Sequence, residues 1–409
     1  MSILIKIGIG LITSKVIAVF VGPAGMALVG NMRNFMTSIE SIATIGLNGG
    51  IIKTVAENKD YTERLNKILS TVFIAFLAVA ILLSITLLFF ADFFNHKIFG
   101  DDYQYSFVFK VLAIAIPFYT LSIFFLAIIN GLGKFKNVIY INIIGNIIGI
   151  LVSLLLITRF QTVGALLAIV ITPSLLFFVT LYFINKEFLI LNIVRKNKFD
   201  FSVIKDLSSY SLMAFFSGIF GSFVYLTIRK NVIATVGIQE AGYWESITRI
   251  SGYYLMFVTT LISVYYLPKL SVAKRMEETS ALFWNFFKII LPVFIIGLTV
   301  IYFLRFFIIR ALFTKEFIPV EGLFFWQLLG DAFKVASLIL AYQFIAKKMT
   351  KAFIVTEILS LVMFLLSSYF LARMYEVEGV VMAHCITYFL YLVVLVLYFR
   401  KTLFKRIDN

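Results

Sequence analysis

The stretch VFVGPAGMALVGNMRNFM, residues 19–36, decides how the chain is read. A Gly-Pro-Ala-Gly turn at 22–25 separates two apolar arms, and each arm carries one cation: Lys15 lies seven residues before Gly22, and Arg33 lies eight after Gly25. Two apolar arms around a tight turn are a helical hairpin. Charges inside such arms require a reason, because an ionised side chain at mid-bilayer costs about 2.5–3.5 kcal/mol on insertion scales.

The rest of the chain has the same character. Of 409 residues, 61% are hydrophobic and only 14% are charged, with a mean hydropathy of +1.01. A spanning helix takes about 20 mostly apolar residues. Runs of that length alternate with short polar gaps from end to end, which leaves no room for a sizeable soluble domain. The alternating ten-residue pattern of a transmembrane barrel does not occur. One cysteine (Cys385) and two histidines (His96, His384) cannot build a disulfide framework or a Cys/His metal site. The formal charge of +15 falls mostly in short loops, not on one aqueous patch, so nucleic acid is not an expected partner.

The apolar runs predict an all-α polytopic membrane protein with twelve transmembrane helices. The first six lie near 3–21, 26–52, 68–91, 107–130, 138–158 and 163–185, and the second six near 207–236, 242–267, 283–304, 321–346, 352–372 and 379–399. The gaps after even-numbered spans and the tail hold 21 Lys and Arg, against six in the other gaps. By the positive-inside rule both termini are cytoplasmic. The first run has no basic cluster before it and leads directly into a second span, so it reads as a true span and not a signal peptide.

Six spans, a long basic gap and six more spans indicate an internal duplication. TRFQTVGALLAIVIT (158–172) lies over ARMYEVEGVVMAHCIT (372–387) with a one-residue gap, matching Gly164, Ala168 and Thr172 to Gly379, Ala383 and Thr387. GPAG at 22–25 likewise falls on QEAG at 239–242. The expected organisation is an N-lobe at 1–185, a cytoplasmic basic linker at 186–206, a C-lobe at 207–399 and a basic cytoplasmic tail at 400–409. Six is even, so two pseudo-symmetric six-helix lobes share one orientation, related by an axis along the membrane normal. In this alignment position 1 falls near Phe215, and the reading expects the first span to lack about ten residues relative to the seventh.

The repeat places a second pair of cations around the second turn: Arg229 is eight residues before Gly237 and Arg249 seven after Gly242. At about 1.5 Å per residue all four cations lie roughly 10–12 Å below the outer surface, a ring on spans 1, 2, 7 and 8. Glu245 stands four residues before Arg249, the favourable order for a helical pair, and the sequence leaves open whether it neutralises that arginine. Polar stripes accompany the cations: Arg33, Thr37, Glu40, Thr44 and Asn48; Gly218, Ser222, Tyr225 and Arg229; Glu245, Arg249, Gly252 and Thr259. Each stripe has helical spacing and is expected to line a wet cavity, although small residues also serve close helix packing. Asp331 and Lys334 form an i, i+3 pair, and His384 beside Cys385 reads as a packed residue more readily than as a ligand. Pro117, Pro173 and Pro292 are expected to kink their spans, and GLNGG at 46–50 is a soft spot in the second.

A cationic ring in a membrane cavity suits an anion, and arginine presents a fork of donors to phosphate oxygens. Lys15, Arg33 and Arg229, which have no acid within four residues, match a diphosphate, and Arg249 completes the ring. Glu40, Asn48, Tyr225, Glu245, Asp331 and Lys334 are candidates for cavity lining or ion coupling.

Three segments carry a resemblance to a known family: IGIGLITSKVIAVFVGPAGMALVGNMRNF (7–35), AGYWESITRISGYYLMFVTTLISVYYLPKLS (241–271) and WQLLGDAFKVASLILAYQFIAKKMTKAF (326–353). Together they resemble the Wzx-type O-antigen translocases and lipid III flippases of the multidrug/oligosaccharidyl-lipid/polysaccharide (MOP) exporter superfamily. The resemblance implies two lobes forming a V in a bacterial inner membrane, and alternating access of a central cavity. It implies the phosphate role for all four of Lys15, Arg33, Arg229 and Arg249. It implies movement of an undecaprenyl-pyrophosphate-linked oligosaccharide from the cytoplasmic to the periplasmic leaflet, with membrane lipids, a polysaccharide polymerase and a chain-length regulator as partners. No enzymatic cofactor is expected; the energy would come from the membrane potential or from H+ or Na+ coupling. The competing readings are a cation-coupled multidrug exporter of the same superfamily, whose cavity should be acidic, and a polysaccharide polymerase or ligase. The latter would need a long outer loop, and the gaps near 92–106 and 305–320 are short.

Overall fold

A computed structural model describes residues 2–59, 61–101, 103–187 and 199–404, and among these every regular element is helical. Most of the expected linker, with Arg195, Lys196 and Lys198, lies outside the described residues, as do Lys405 and Arg406 of the tail. The element order is α1 (Ser2–Phe20), α2 (Gly22–Ala43), α3 (Asn48–Asn58), α4 (Thr62–Phe89), α5 (Ala91–Phe99), α6 (Ser106–Gly131) and α7 (Phe135–Glu187). It continues with α8 (Phe201–Thr235), α9 (Ile238–Leu261), α10 (Leu267–Val272), α11 (Met276–Asn285), α12 (Leu291–Leu312), α13 (Val320–Ala346), α14 (Thr350–Tyr398) and α15 (Arg400–Phe404).

Among the described residues eight helices are long and apolar enough to cross a membrane, and the bent pair α2 and α3 adds a ninth. Two of the eight are double. α7 leaves helical geometry at Gln161 (φ 47°, ψ −121°), and α14 does so at Tyr375 and Glu376 (φ 53°, ψ −136° at Glu376). Each is two spans joined by a turn too tight to interrupt the helical run. With α1 these make the twelve expected spans, in a polytopic membrane protein.

The two tight hairpins are the repeat made visible. Gln161 and Glu376 share the same unusual backbone, and each is followed three residues later by a glycine. A Cβ on Gly164 would lie 1.9 Å from the Leu156 carbonyl oxygen, and one on Gly379 would lie 2.1 Å from that of Leu371. Only glycine lets the returning helix pass that close to the carbonyl of the outgoing one.

The second span breaks where the soft spot was expected. α2 and α3 meet at 40° across Thr44–Leu47, with Ile45 (φ 50°) and Gly46 (φ 64°) both left-handed. The break is wedged from outside: a Cβ on Gly46 would meet the Ser211 carbonyl oxygen of α8 at 2.3 Å. Spans 8 and 9 loosen in another way. Five-residue π-helical turns, Ile262–Tyr266 and Phe286–Ile290, precede Pro268 and Pro292. Proline has no N–H to return to the preceding turn, so the ladder widens there without ending. Pro117 and Pro173 lie inside α6 and α7.

The chain divides into two compact units: Met1–Val21 with Leu28–Leu226, and Gly22–Ala27 with Thr227–Asn409. The first is built on an apolar core of α3, α4, α6 and α7, with Ile51, Val55, Leu69, Phe76, Phe124 and Ile128 each 0% exposed. In the second, Phe344 packs on Phe399 and Phe283 on Phe399, with ring centroids 5.1 and 5.8 Å apart. The outer face of α12 is bare hydrocarbon: Phe303 and Phe307 are 72% and 70% exposed. Such a face is untenable in water and natural against lipid tails.

Candidate functional site

The cations flank two helix starts of one kind. α2 begins at Gly22 (φ 70°) and α9 directly after Gly237 (φ 131°). Gly-Pro-Ala-Gly is therefore the first turn of α2 and not a loop, because proline is preorganised for the start of a helix. This changes the expected geometry: VG at 21–22 corresponds to VG at 236–237, and Arg33 and Arg249 lie 11 and 12 residues beyond these glycines. That is about 16–18 Å along the helix, against about 10–12 Å for Lys15 and Arg229. Within each pair the two cations are thus staggered by about one turn along their helices.

In the first unit, Lys15 on α1 and Arg33 on α2 are half-buried. Thr37 caps the turn after Arg33 by donating to its carbonyl oxygen at 3.1 Å. Glu40, half-buried on the same face, accepts a hydrogen bond of 2.6 Å from the Tyr119 hydroxyl of α6. Asn48 opens α3 beyond the bend and is exposed, so the break interrupts the stripe that began at Arg33. Gly218 on α8 serves close packing: a Cβ there would meet Ser41 Oγ at 1.9 Å. Tyr225, about two turns further along α8, is half-buried.

The second unit pairs its charges in a way that neighbour spacing does not reveal. Glu245 Oε2 accepts from Arg229 Nη2 at 2.7 Å, across from α8 to α9, and the Arg229 guanidinium lies 4.9 Å from the Trp244 ring centroid. Arg229 is 1% exposed. A buried ion pair with an aromatic face beneath it is a packed structural unit.

Arg249 is different. It is 5% exposed, and its only hydrogen bond among the described residues runs from Nη1 to the Met26 sulfur at 3.2 Å. Nε and Nη2 are buried with no hydrogen-bond partner. These two nitrogens form one edge of the guanidinium, the edge that meets a carboxylate or phosphate with two parallel bonds. The first turn of α2 holds this corner together, since Gly242 approaches Pro23 so closely that a Cβ would lie 1.9 Å from the Pro23 carbonyl oxygen.

Further along α9, α13 and α14 a second polar group assembles. Asp331 is 0% exposed and accepts from Ser251 and Tyr254, while His384 Nε2 lies 3.0 Å from its Oδ1. Lys334 sits with Nζ 4.9 Å from the Tyr388 ring centroid. Ser251, Tyr254, Gln327 and Tyr119 were not singled out in the sequence. Gln327, Asp331 and Lys334 do recur at i, i+4 and i+7 on α13, a stripe that periodicity can find. No group of three His, Cys, Asp or Glu able to hold a metal occurs among the described residues.

At the end of the linker between the two halves, Asp200 pins the start of α8. Its carboxylate lies 2.5 Å from Lys67 Nζ, its backbone N–H donates to Thr71 Oγ1 at 3.1 Å, and it accepts from the Ser202 N–H at 2.8 Å. The Lys67 ammonium, followed by the Ser202 bonds, holds its pKa down at about 2.

Comparison with known proteins agrees with this architecture. The chain is 27% identical over 390 residues to proteins named "Lipid III flippase" from Escherichia coli (strain K12) and Shigella flexneri, covering 95% of this chain and 94% of theirs. Among solved structures it is similar to an inward-facing multidrug resistance MATE family transporter of the MOP superfamily, with a TM-score of 0.83, 16% identity and coverage of 100% of this chain and 96% of that one. It is also similar to the lipid II flippase MurJ in an inward closed conformation, with a TM-score of 0.73, 17% identity and coverage of 98% and 86%. The family description "Polysaccharide biosynthesis protein" matches residues 1–272. Twelve spans with a duplicated hairpin, on the fold of MOP-superfamily transporters, thus belong to a member of the polysaccharide biosynthesis protein family.

Proposed function

We propose that this protein is a flippase that moves an undecaprenyl-pyrophosphate-linked oligosaccharide from the cytoplasmic to the periplasmic leaflet of a bacterial inner membrane, with both termini cytoplasmic. Near full-length similarity to lipid III flippases supports the substrate class. The observation that carries the reading is Arg249, whose bidentate edge is buried and unpartnered. A buried cation is retained when something pairs with it, and a phosphate oxygen pair fits this edge. Lys15 and Arg33 are the corresponding cations of the first unit. Arg229 supports Arg249 by holding α8 to α9 through Glu245.

Transport proceeds by alternating access, and no covalent chemistry is required. The lipid carries about two negative charges, each worth about 2.3 kcal/mol per 100 mV, so an inside-negative potential favours outward movement. A second reading, a multidrug exporter, draws on the MATE fold similarity; cations where a drug site needs acids weigh against it. The polymerase chemistry of a neighbouring enzyme would consume the flipped product.

Reconstitution in vesicles with a fluorescent pyrophosphate-linked oligosaccharide lipid, followed by leaflet exchange, tests the proposal. Exchange by the wild type and its loss in Arg249→Ala and in Lys15→Ala/Arg33→Ala support it. Undiminished exchange in both variants, or drug efflux with no lipid exchange, overturns it.

A further inference from the structure

One helical run of the second unit stands almost bare of protein. α11, the π-helical turn Phe286–Ile290 and α12 form a continuous stretch of 37 residues, Met276–Leu312, and Ile289, Val293, Ile296 and Val300 lie exposed along it. A cation closes the apolar face at each end. Lys288 and Arg305 are 17 residues apart with no charged residue between them, a span of about 26 Å at 1.5 Å per residue. That is close to the ~30 Å of a bilayer's hydrocarbon core, so both stand where long cationic side chains reach out to headgroup level.

The two ends differ. Arg305 is self-contained: Nη1 donates to the Tyr302 carbonyl oxygen at 2.8 Å, and the guanidinium lies 4.2 and 4.1 Å from the Tyr302 and Phe306 ring centroids. At the Lys288 end a second segment folds back onto the run. Trp284 Nε1 donates to the Leu403 carbonyl oxygen of α15 at 3.0 Å, and the Trp284 and Phe404 ring centroids are 6.5 Å apart. The indole N–H is thereby used inside the protein, and the ring is held as a fixed floor. Three exposed cations border it. Lys288 is one turn beyond Trp284, with Nζ 6.0 Å from the ring centroid. Arg400 and Lys401 stand four and three residues before Phe404, on the face of α15 that carries its ring. No carboxylate pairs with any of the three among the described residues. The nearest acid along α11, Glu278, is turned to the helix start, where it accepts from the Lys274 N–H at 2.8 Å.

We propose that Trp284, Lys288, Arg400 and Lys401 form a binding site for the headgroup of an anionic phospholipid, with the phosphodiester held by the three cations and the acyl chains lying along Ile289, Val293 and Ile296. The site does not depend on the flippase reading; only its assignment to the inner leaflet uses the orientation proposed above. A lipid suits this place better than a soluble anion, because the cations border side chains that acyl chains cover and water does not. An anionic headgroup suits it better than a zwitterionic one, whose ammonium would meet three uncompensated positive charges. Each cation near a membrane surface favours an anionic lipid by about fivefold.

The full-length protein in phosphatidylcholine vesicles, titrated with phosphatidylglycerol or phosphatidylcholine brominated on the acyl chains, tests the site. Bromine quenches a tryptophan beside it, and the Trp284 signal is the part that Trp284→Phe removes. Brominated phosphatidylglycerol should quench this part with a preference of about tenfold or more over brominated phosphatidylcholine, and Lys288→Gln should lower the preference about fivefold. The triple variant Lys288→Gln/Arg400→Gln/Lys401→Gln should abolish it, while Lys274→Gln/Lys351→Gln, which neutralises two exposed lysines outside the site, should leave it unchanged. Equal quenching by the two lipids, a preference that survives in the triple variant, or an equal loss in the Lys274/Lys351 pair overturns the site. Displacement of the lipid by dissolved glycerol phosphate overturns its assignment to a membrane lipid. Native mass spectrometry gives a readout that needs no tryptophan substitution: phosphatidylglycerol retained by the wild type and shed by the triple variant supports the site, and equal retention overturns it.

Discussion

Arg229 and Glu245 form an ion pair of 2.7 Å with side chains 1% and 7% exposed, joining the last turns of α8 to the first turns of α9. The carboxylate that helical spacing offers to Arg249 is thereby bound to a residue 16 positions away. Leaving one charge of such a pair uncompensated costs about 3–5 kcal/mol, whereas removing both is far milder. Arg229→Met and Glu245→Leu are each expected to lower thermal stability in detergent sharply, and the double variant to recover most of the loss. Additive losses in the double variant would show that the pair is not a unit.

Arg249 should behave in the opposite sense. Removing a buried guanidinium with one unpartnered edge relieves a desolvation cost, so Arg249→Met is expected to raise stability by about 1–3 kcal/mol. Leaflet exchange should meanwhile fall roughly tenfold or more, the size of a lost charge-assisted bond of about 1.5–3 kcal/mol. Arg249→Lys keeps the charge but loses the two-pronged edge, and should recover only a minor part of the exchange. Melting curves and exchange rates on one preparation check both.

The duplicated hairpins give a matched pair of backbone tests. Gly164→Ala and Gly379→Ala place a methyl 1.9 and 2.1 Å from a carbonyl oxygen, an overlap that backbone must move to relieve. Each is expected to cost about 1–3 kcal/mol or more. Gly297 on α12 has open space around its Cβ position, and Gly297→Ala should gain about 0.5–1 kcal/mol from helix propensity. Equal melting shifts at all three positions would refute the close approach.

The Lys67–Asp200 contact predicts an acid limit. The folded pKa of Asp200 is lowered to about 2, below an unfolded value near ~3.9. Its stabilisation is therefore fully present above the unfolded value and is lost as pH falls toward about 2. Comparing acid unfolding of Asp200→Asn with wild type should show a difference near neutrality that shrinks below about pH 4 and closes as pH falls to about 2. Because both side chains are partly exposed, added salt should shrink the difference.

How far the sequence reached depends on the range of the force involved. The twelve spans were legible because burial in hydrocarbon acts on every residue of a run, and the run length is visible. The hairpins at Gln161 and Glu376 were legible as a repeat, since FQTVG and YEVEG each carry the glycine that a tight return needs. The partner of Glu245 was not: spacing along one helix cannot report a guanidinium arriving from α8. His384 read as a packed neighbour of Cys385, and its place beside Asp331 depends on the path of α14 past Gly330, where a Cβ would meet His384 Cδ2 at 2.5 Å.

By itself the sequence determined a membrane protein of twelve spans, duplicated in halves, with cations placed beside two matching turns. Those properties are sums over local runs and local turns, and they need no knowledge of which helix lies beside which. Only the tertiary structure decided which cation is spent on packing and which keeps an unpartnered edge. The difference between Arg229 and Arg249 is a matter of ångströms between helices, where a carboxylate within hydrogen-bond reach neutralises one buried guanidinium and leaves one edge of the other without a hydrogen-bond partner.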